Sequence, residues 1–188
     1  AQVHLHLMGE PTLHPRLNDI LNYARDKNVK INLTTNGSTL VKKKLSKLLE
    51  SISGSITASL MTPTEETYEI RGDVGLSWDR YVDNFRLLVK EHLVRISKGE
   101  KIEYNISMRI MVSEKTRKGT VKVMECSKDI QDNWDEWSKY VESIENELGM
   151  KSYKRKKIDS DKTFSLLNET NEVSYNLQQG LTLQFWRA

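Results

Sequence analysis

The chain has 188 residues, of which 37% are hydrophobic and 29% charged, and its net charge is +3. That length can bury a real core as one domain, while so mild a charge makes no electrostatic case for a nucleic-acid or membrane-surface partner. Cys126 is the single cysteine, which excludes an internal disulfide framework and any cysteine-held metal cluster made by this chain unaided. No apolar run approaches the roughly 18 residues of a membrane span and no signal peptide is visible, so a cytoplasmic location is expected.

The first predicted element is an alternating strand, Val3–Met8, running straight into Gly9-Glu10-Pro11. A carboxylate on a tight turn at a strand's carboxyl end is placed to hold a ligand's amine, and glycine lets the backbone approach closely. Taken alone, the tripeptide equally fits a plain loop before a helix beginning near Pro15. Leu17, Ile20, Leu21 and Ala24 then fall at helical spacing.

The pattern repeats. Lys30–Asn36 alternates as a second strand, ends at Asn36-Gly37, and leads to a helix carrying Leu45, Leu48, Leu49 and Ile52. Ser55–Met61 reads as a third strand, followed by a helix with Trp78, Tyr81, Phe85, Leu88 and Val89 on one face. Ile102–Val112 is a fourth, and Trp134, Trp137, Val141, Ile144 and Leu148 mark the next helix. Strands alternating with helices imply parallel β-α units joined by right-handed crossovers.

Strand phase then separates two faces. Val3, Leu5, Leu7, Ile31, Leu33, Ile56, Ala58, Leu60, Tyr104, Ile106 and Met108 share one; His4, His6, Asn32, Thr34, Ser55, Thr57, Asn105, Ser107 and Arg109 share the other. The apolar face suits helix packing, and the polar face has to meet water or line a cavity. The expected fold class is therefore α/β, a curved partial (βα) barrel of parallel strands, TIM-barrel-like and truncated at its N-terminal strand, with its ligand at the strands' carboxyl ends. Residues 1–150 are expected to form the barrel core. Residues 151–188 are expected to hold a polar excursion and either a final barrel strand at Leu181–Trp186 or the start of a C-terminal extension. The basic run Lys151–Lys157 lacks the aromatic interleaving of a nucleic-acid platform and reads as a solvated loop.

Gly9-Glu10-Pro11, then Leu33 to Gly37 (LTTNG), then Ser59 followed by Arg71 in Tyr68 to Gly72 (YEIRG) together resemble the radical S-adenosylmethionine enzymes, closest to members with a SPASM-type C-terminal extension. The likeness covers roughly the first 115 residues in order and spacing. It implies that Glu10, with Gly9 and Pro11, receives the methionine amino group, that Ser59 touches the ribose and that Arg71 binds the methionine carboxylate. Thr35 and Asn36 lie at a neighbouring strand end, where they are candidates for a cofactor or substrate contact. Such a ligand needs an anion, a guanidinium and neutral hydroxyl or amide groups together, and these residues supply that set. Arg109, on the polar face, is the other candidate for a buried anion contact, with a structural ion pair as the alternative. His4 and His6 share a face but lack a third ligand, so they read as hydrogen-bonding groups and no metal ligand is assigned.

The sequence departs from the family in lacking the CxxxCxxC loop that holds the [4Fe-4S] cluster. The ligands of that cluster are expected upstream of residue 1, making this the core fragment of a longer enzyme and inactive by itself; the other reading is a relative that has lost the chemistry. Met61-Thr62 stands where many SPASM-type relatives have Asp-Gly. For the intact parent, the resemblance implies an electron donor, reductive cleavage of S-adenosylmethionine to a 5'-deoxyadenosyl radical, and hydrogen abstraction from a peptide or small-molecule substrate. No catalytic residue is assigned. The alternative is a non-catalytic partial barrel that binds a polar small molecule or peptide.

Overall fold

The structure, a computed structural model, describes residues 1–5, 9–60, 64–71, 75–116, 119–122, 124 and 126–187, with the backbone alone at 69–71, 113–116 and 119–122. The predicted residues His6, Leu7, Met8, Met61 and Gly72 lie outside that set. The chain divides into two compact units, Ala1–Ser59 with Val74–Ser107, and Leu60–Asp73 with Met108–Ala188.

The first unit is built from β1 (Gln2–Leu5), α1 (Leu17–Asp26), β2 (Lys30–Thr35), α2 (Lys42–Ser51), β3 (Gly54–Ala58), the long helix Trp78–Ser97, and the first residues of the strand Tyr104–Thr116. Its strands lie in the order of the chain, with β1 parallel to β2 and β2 parallel to β3. Each parallel step needs a crossover, and α1 and α2 supply them. The expected phase is borne out in β2, β3 and the start of β4, but not in β1, where Val3 is exposed and Leu5 only half-buried. Ile31, Leu33, Ile56, Ala58 and Ile106 are buried, together with Leu21, Leu45, Leu49, Phe85 and Leu88 from the helices.

On the opposite face, paired residues His4, Asn32 and Ser55 form a cross-strand polar row. Ser55 Oγ donates to Asn32 Oδ1 at 2.7 Å, and Asn32 Nδ2 meets His4 Nδ1 at 3.4 Å. His4 and Asn105 are exposed. At the amino ends of the strands this face opens into a groove of about 720 Å3 lined by Lys30, Asn32, Ser55, Glu103 and Asn105. Lys101 Nζ, 2.6 Å from Glu103, holds that carboxyl below the usual carboxylate range.

The helix Trp78–Ser97 of the first unit is α4; the second unit contains α3 (Glu65–Arg71), the remainder of β4 (Tyr104–Thr116), β5 (Gly119–Lys122), α5 (Ser127–Glu147), α6 (Ser160–Thr170), β6 (Glu172–Gln178) and β7 (Leu181–Arg187). Here the strand order is β4-β7-β6, with β5 folded back antiparallel on β4 and β6 antiparallel to β7. Leu181–Trp186 is thus the return arm of a hairpin, and part of the expected polar excursion is helix and strand. Asp159 caps α6 by accepting from Lys162 N at 3.0 Å, and Asn171 closes it in the left-handed region at φ 62°. Val173, Tyr175 and Leu177 give β6 its alternation, and Gly180, at φ 67°, turns the chain into β7.

A buried ion pair ties the basic segment to this unit. Arg155 Nη2 lies 2.7 Å from Glu145 Oε1, which is fully buried and also accepts from Gln178 Nε2 at 2.6 Å. Removing one partner of such a pair is costly because the other charge is left buried.

In the first unit, Gly54 sits at φ 138°, and a Cβ there would lie 2.3 Å from the main-chain oxygen of Ile31. Backbone cannot yield as a side-chain tip does, so Gly54→Ala is expected to lower stability by about 3 kcal/mol or more. A urea unfolding midpoint unchanged from wild type would contradict this.

Candidate functional site

The site begins at Gly9, whose φ of 82° lies in the left-handed region and whose missing Cβ would meet nothing within 4 Å. Glycine is needed there for backbone direction rather than for space. The reversal delivers Glu10 to the start of a short 3-10 turn, Pro11–Leu13, with Pro11 at a position where its missing N–H costs nothing.

The Glu10 carboxylate reaches across to the carboxyl end of β2. Oε1 accepts from Thr35 Oγ1 at 2.8 Å and from Thr12 N at 3.1 Å, as well as from the Thr12 hydroxyl. Oε2 accepts from Asn36 N at 2.7 Å. A carboxylate offers about two acceptor positions per oxygen. Oε1 is therefore saturated, whereas Oε2 has no further partner among the described residues and retains an open position. The Thr12 hydroxyl also meets that of Thr39.

The strand end that receives Glu10 is itself held from below. Thr35 is 1% exposed, and its Oγ1 accepts from Gly37 N at 3.1 Å. Asn36 Oδ1 accepts from Ser38 N at 3.0 Å, closing an Asx turn. Gly37 has φ 77°, and a Cβ on it would stand 2.7 Å from Cζ of the buried Phe85. Asn84 Nδ2 donates to the Gly37 carbonyl at 2.7 Å. Ser59 joins through its backbone: its N–H donates to Thr35 O at 2.8 Å, and its carbonyl accepts from the Tyr81 hydroxyl at 3.0 Å.

Gly9, Glu10, Pro11, Thr35, Asn36 and Ser59 are thus neighbours at one set of strand ends in the first unit. The two arginines belong to the second unit. Arg71 is the last residue of α3, and its side chain lies outside the described residues. Arg109 donates from Nε to Gln184 Oε1 at 2.8 Å, with its guanidinium 5.5 Å from the Trp186 ring centre, and Gln184 in turn donates to Glu172 at 3.1 Å. The supports Thr12, Tyr81, Asn84 and Phe85 were missed as site residues. Asn84 carried a signal, being a polar residue one turn from Tyr81 and Leu88 on the otherwise apolar face of α4.

The arrangement can take an ammonium at the open position of Oε2, because a carboxylate held in one orientation can make a short charge-assisted bond with it. The donor set of the chain does not fit a four-iron cluster. Cys126 is its one cysteine, exposed and engaged at the start of α5, where its N–H donates to Asp129 Oδ2 at 3.0 Å.

Thr35→Val keeps the shape of the buried side chain but removes a donor to Glu10 and an acceptor for Gly37. It is expected to cost about 1–3 kcal/mol, with Thr35→Ser close to wild type. Equal unfolding midpoints for Thr35→Val and wild type would contradict the role given to this hydroxyl.

No curated protein sequence matches the chain. Among solved structures, SuiB of Streptococcus suis bound to S-adenosylmethionine has a TM-score of 0.51 at 16% identity, over 100% of this chain and 38% of SuiB. Archaeal TYW1 has a TM-score of 0.45 at 15% identity, over 85% of this chain and 53% of its own. A domain of pyruvate-formate lyase-activating enzyme from Bacteroides vulgatus has a TM-score of 0.43 at 14% identity, over 80% of this chain and 96% of its own. The chain spans roughly half or less of the length of SuiB and of TYW1. The sequence profile of the radical SAM superfamily matches residues 2–121, most of the chain, and the protein belongs to that superfamily.

Proposed function

We propose that the chain is the S-adenosylmethionine-binding α/β core of a radical SAM enzyme, with the methionine ammonium seated on Glu10. The observation that carries this reading is the open acceptor position on Oε2 of a carboxylate fixed from two elements at the strands' carboxyl ends. Membership of the superfamily supports the choice of ligand.

In this reading Glu10 binds and orients the amine, and the Gly9 turn brings main chain close to the amino acid. Asn36 and Ser59 lie beside the nucleoside end. Arg71 is proposed for the ligand carboxylate on the sequence motif alone. Arg109, engaged by Gln184 and Trp186, is assigned to holding its own strand pair. When bound, S-adenosylmethionine supplies the reducible sulfonium from which the superfamily draws its hydrogen-abstracting radical. The chain's own groups position that ligand and limit the water around it. The substrate of the parent enzyme is proposed to be a peptide or small molecule, and its electron donor a separate partner.

Calorimetric titration of the chain separates this reading from a general polar cavity. Glu10→Gln is expected to weaken S-adenosylmethionine binding by about 10- to 150-fold, the loss of one charge-assisted contact of about 1.5–3 kcal/mol. Binding of 5'-methylthioadenosine, which has no amino-acid moiety, should be unchanged in a variant that still unfolds cooperatively. Equal effects on the two ligands, or none on either, would overturn the assignment. In anaerobic reconstitution with iron and sulfide the chain alone is expected to take up no [4Fe-4S] cluster, because it offers one thiol where three are needed. A four-iron absorption band from this chain would contradict that.

A further inference from the structure

The outer edge of β6 carries a feature that the cofactor reading does not use. Arg187 N donates to Asn171 O at 2.8 Å, and the β6–β7 register pairs Val173 with Phe185, Ser174 with Gln184 and Tyr175 with Leu183. In an antiparallel pair, opposite residues alternate between those that exchange main-chain bonds and those that do not. Asn171 and Arg187 therefore fix the alternation. Val173 and Tyr175 bond to β7, while the N–H and C=O of Ser174 and Asn176 point away from it. β6 ends the strand order of its unit, Ser174 and Asn176 are exposed, and among the described residues nothing bonds to these outward groups.

A cavity of about 260 Å3 opens beside this edge, with Lys154 and Lys156 on its other side and the Trp134 and Tyr175 rings, 5.7 Å apart, contributing to its lining. The intervening Arg155 is drawn away from the cavity by its 2.7 Å bond to buried Glu145. That anchor holds the segment in place and leaves both flanking lysines at the cavity. Each is exposed, and neither has an acidic partner among the described residues. The arrangement offers alternating main-chain donors and acceptors at the spacing of a strand, beside fixed positive charge. A small anion could use the donors alone. An extended chain with acidic side chains uses donors, acceptors and both lysines.

We propose that the outer edge of β6 binds an extended acidic segment of a partner polypeptide by strand addition, with Ser174 and Asn176 supplying the main-chain ladder and Lys154 and Lys156 supplying charge selectivity. The proposal is independent of the cofactor reading. It is tested on the whole chain with no cluster or S-adenosylmethionine present.

The probe is a fluorescein-labelled, end-capped octapeptide alternating threonine and glutamate, followed by anisotropy, with a threonine-lysine peptide as its opposite. The acidic peptide is expected to bind in a salt-dependent manner and the basic one to be rejected. Lys154→Glu with Lys156→Glu should lower affinity about tenfold or more and invert the preference. Ser174→Pro removes an outward N–H and leaves the β7 bonds intact, as an edge strand tolerates, so it should abolish binding by a chain with an unchanged circular dichroism spectrum. Equal binding of the two peptides would overturn the proposal, as would indifference to the charge reversal, or equal competition by inorganic pyrophosphate. Retained binding by Ser174→Pro would overturn the strand-addition geometry.

Discussion

The Glu10 carboxylate is the interaction on which the site depends. It joins a left-handed turn after β1 to the carboxyl end of β2 through donors from Thr12, Thr35 and Asn36. A carboxylate in such a setting works at once as a structural clamp and as a charged group held in one orientation. Its placement on the ends of packed strands, rather than on a free loop, gives the precision that ligand binding requires. The chain beneath it is equally constrained, since Thr35 is buried, Gly37 leaves no room above Phe85, and Asn84 holds the Gly37 carbonyl. The geometry of the proposed ligand contact thus depends on helix α4, well outside the Gly9-Glu10-Pro11 motif.

The sheet explains why this clamp stands at a rim. Parallel β1, β2 and β3 bury one row of side chains against α1, α2 and α4 and leave His4, Asn32 and Ser55 on the other face, where they bond to one another. A polar row of this kind can be maintained only where water or a ligand reaches it. In the second unit the logic differs. The hairpins β4–β5 and β6–β7 are antiparallel, and the buried Glu145–Arg155 pair pins a basic segment beside the edge strand β6.

The parallel core was legible because two independent periods agree. Two-residue alternation at Lys30–Thr35 and helical spacing at Leu45, Leu48 and Leu49 lead to one packing solution. Gly9-Glu10 was legible as a motif, but the use of the carboxylate was not, because Thr12, Thr35 and Asn36 meet it only after β1 and β2 pair. Arg109 shows the opposite case. It lies on the polar face as expected, but Gln184 and Trp186, 75 and more positions away, occupy it. The region 160–178 was missed because it is polar and rich in Asn, Ser and Thr, although the cap at Asp159 and the alternation of Val173, Tyr175 and Leu177 were both present. Lys151–Lys157 was read as solvated, and that holds for Lys154 and Lys156. Arg155 is instead nearly buried, an inversion caused by a carboxylate on α5 that no local pattern announces.

The central claim is that the Glu10 clamp is a seat for the amino-acid end of S-adenosylmethionine. Backbone amide NMR of the chain, titrated with that compound, tests it most directly. The account predicts that the largest chemical-shift changes fall on the amides of Gly9, Glu10, Asn36 and Gly37, with the outer faces of α1 and α2 unmoved. Shifts centred on those helices or on β6, with the four amides unchanged, would contradict it.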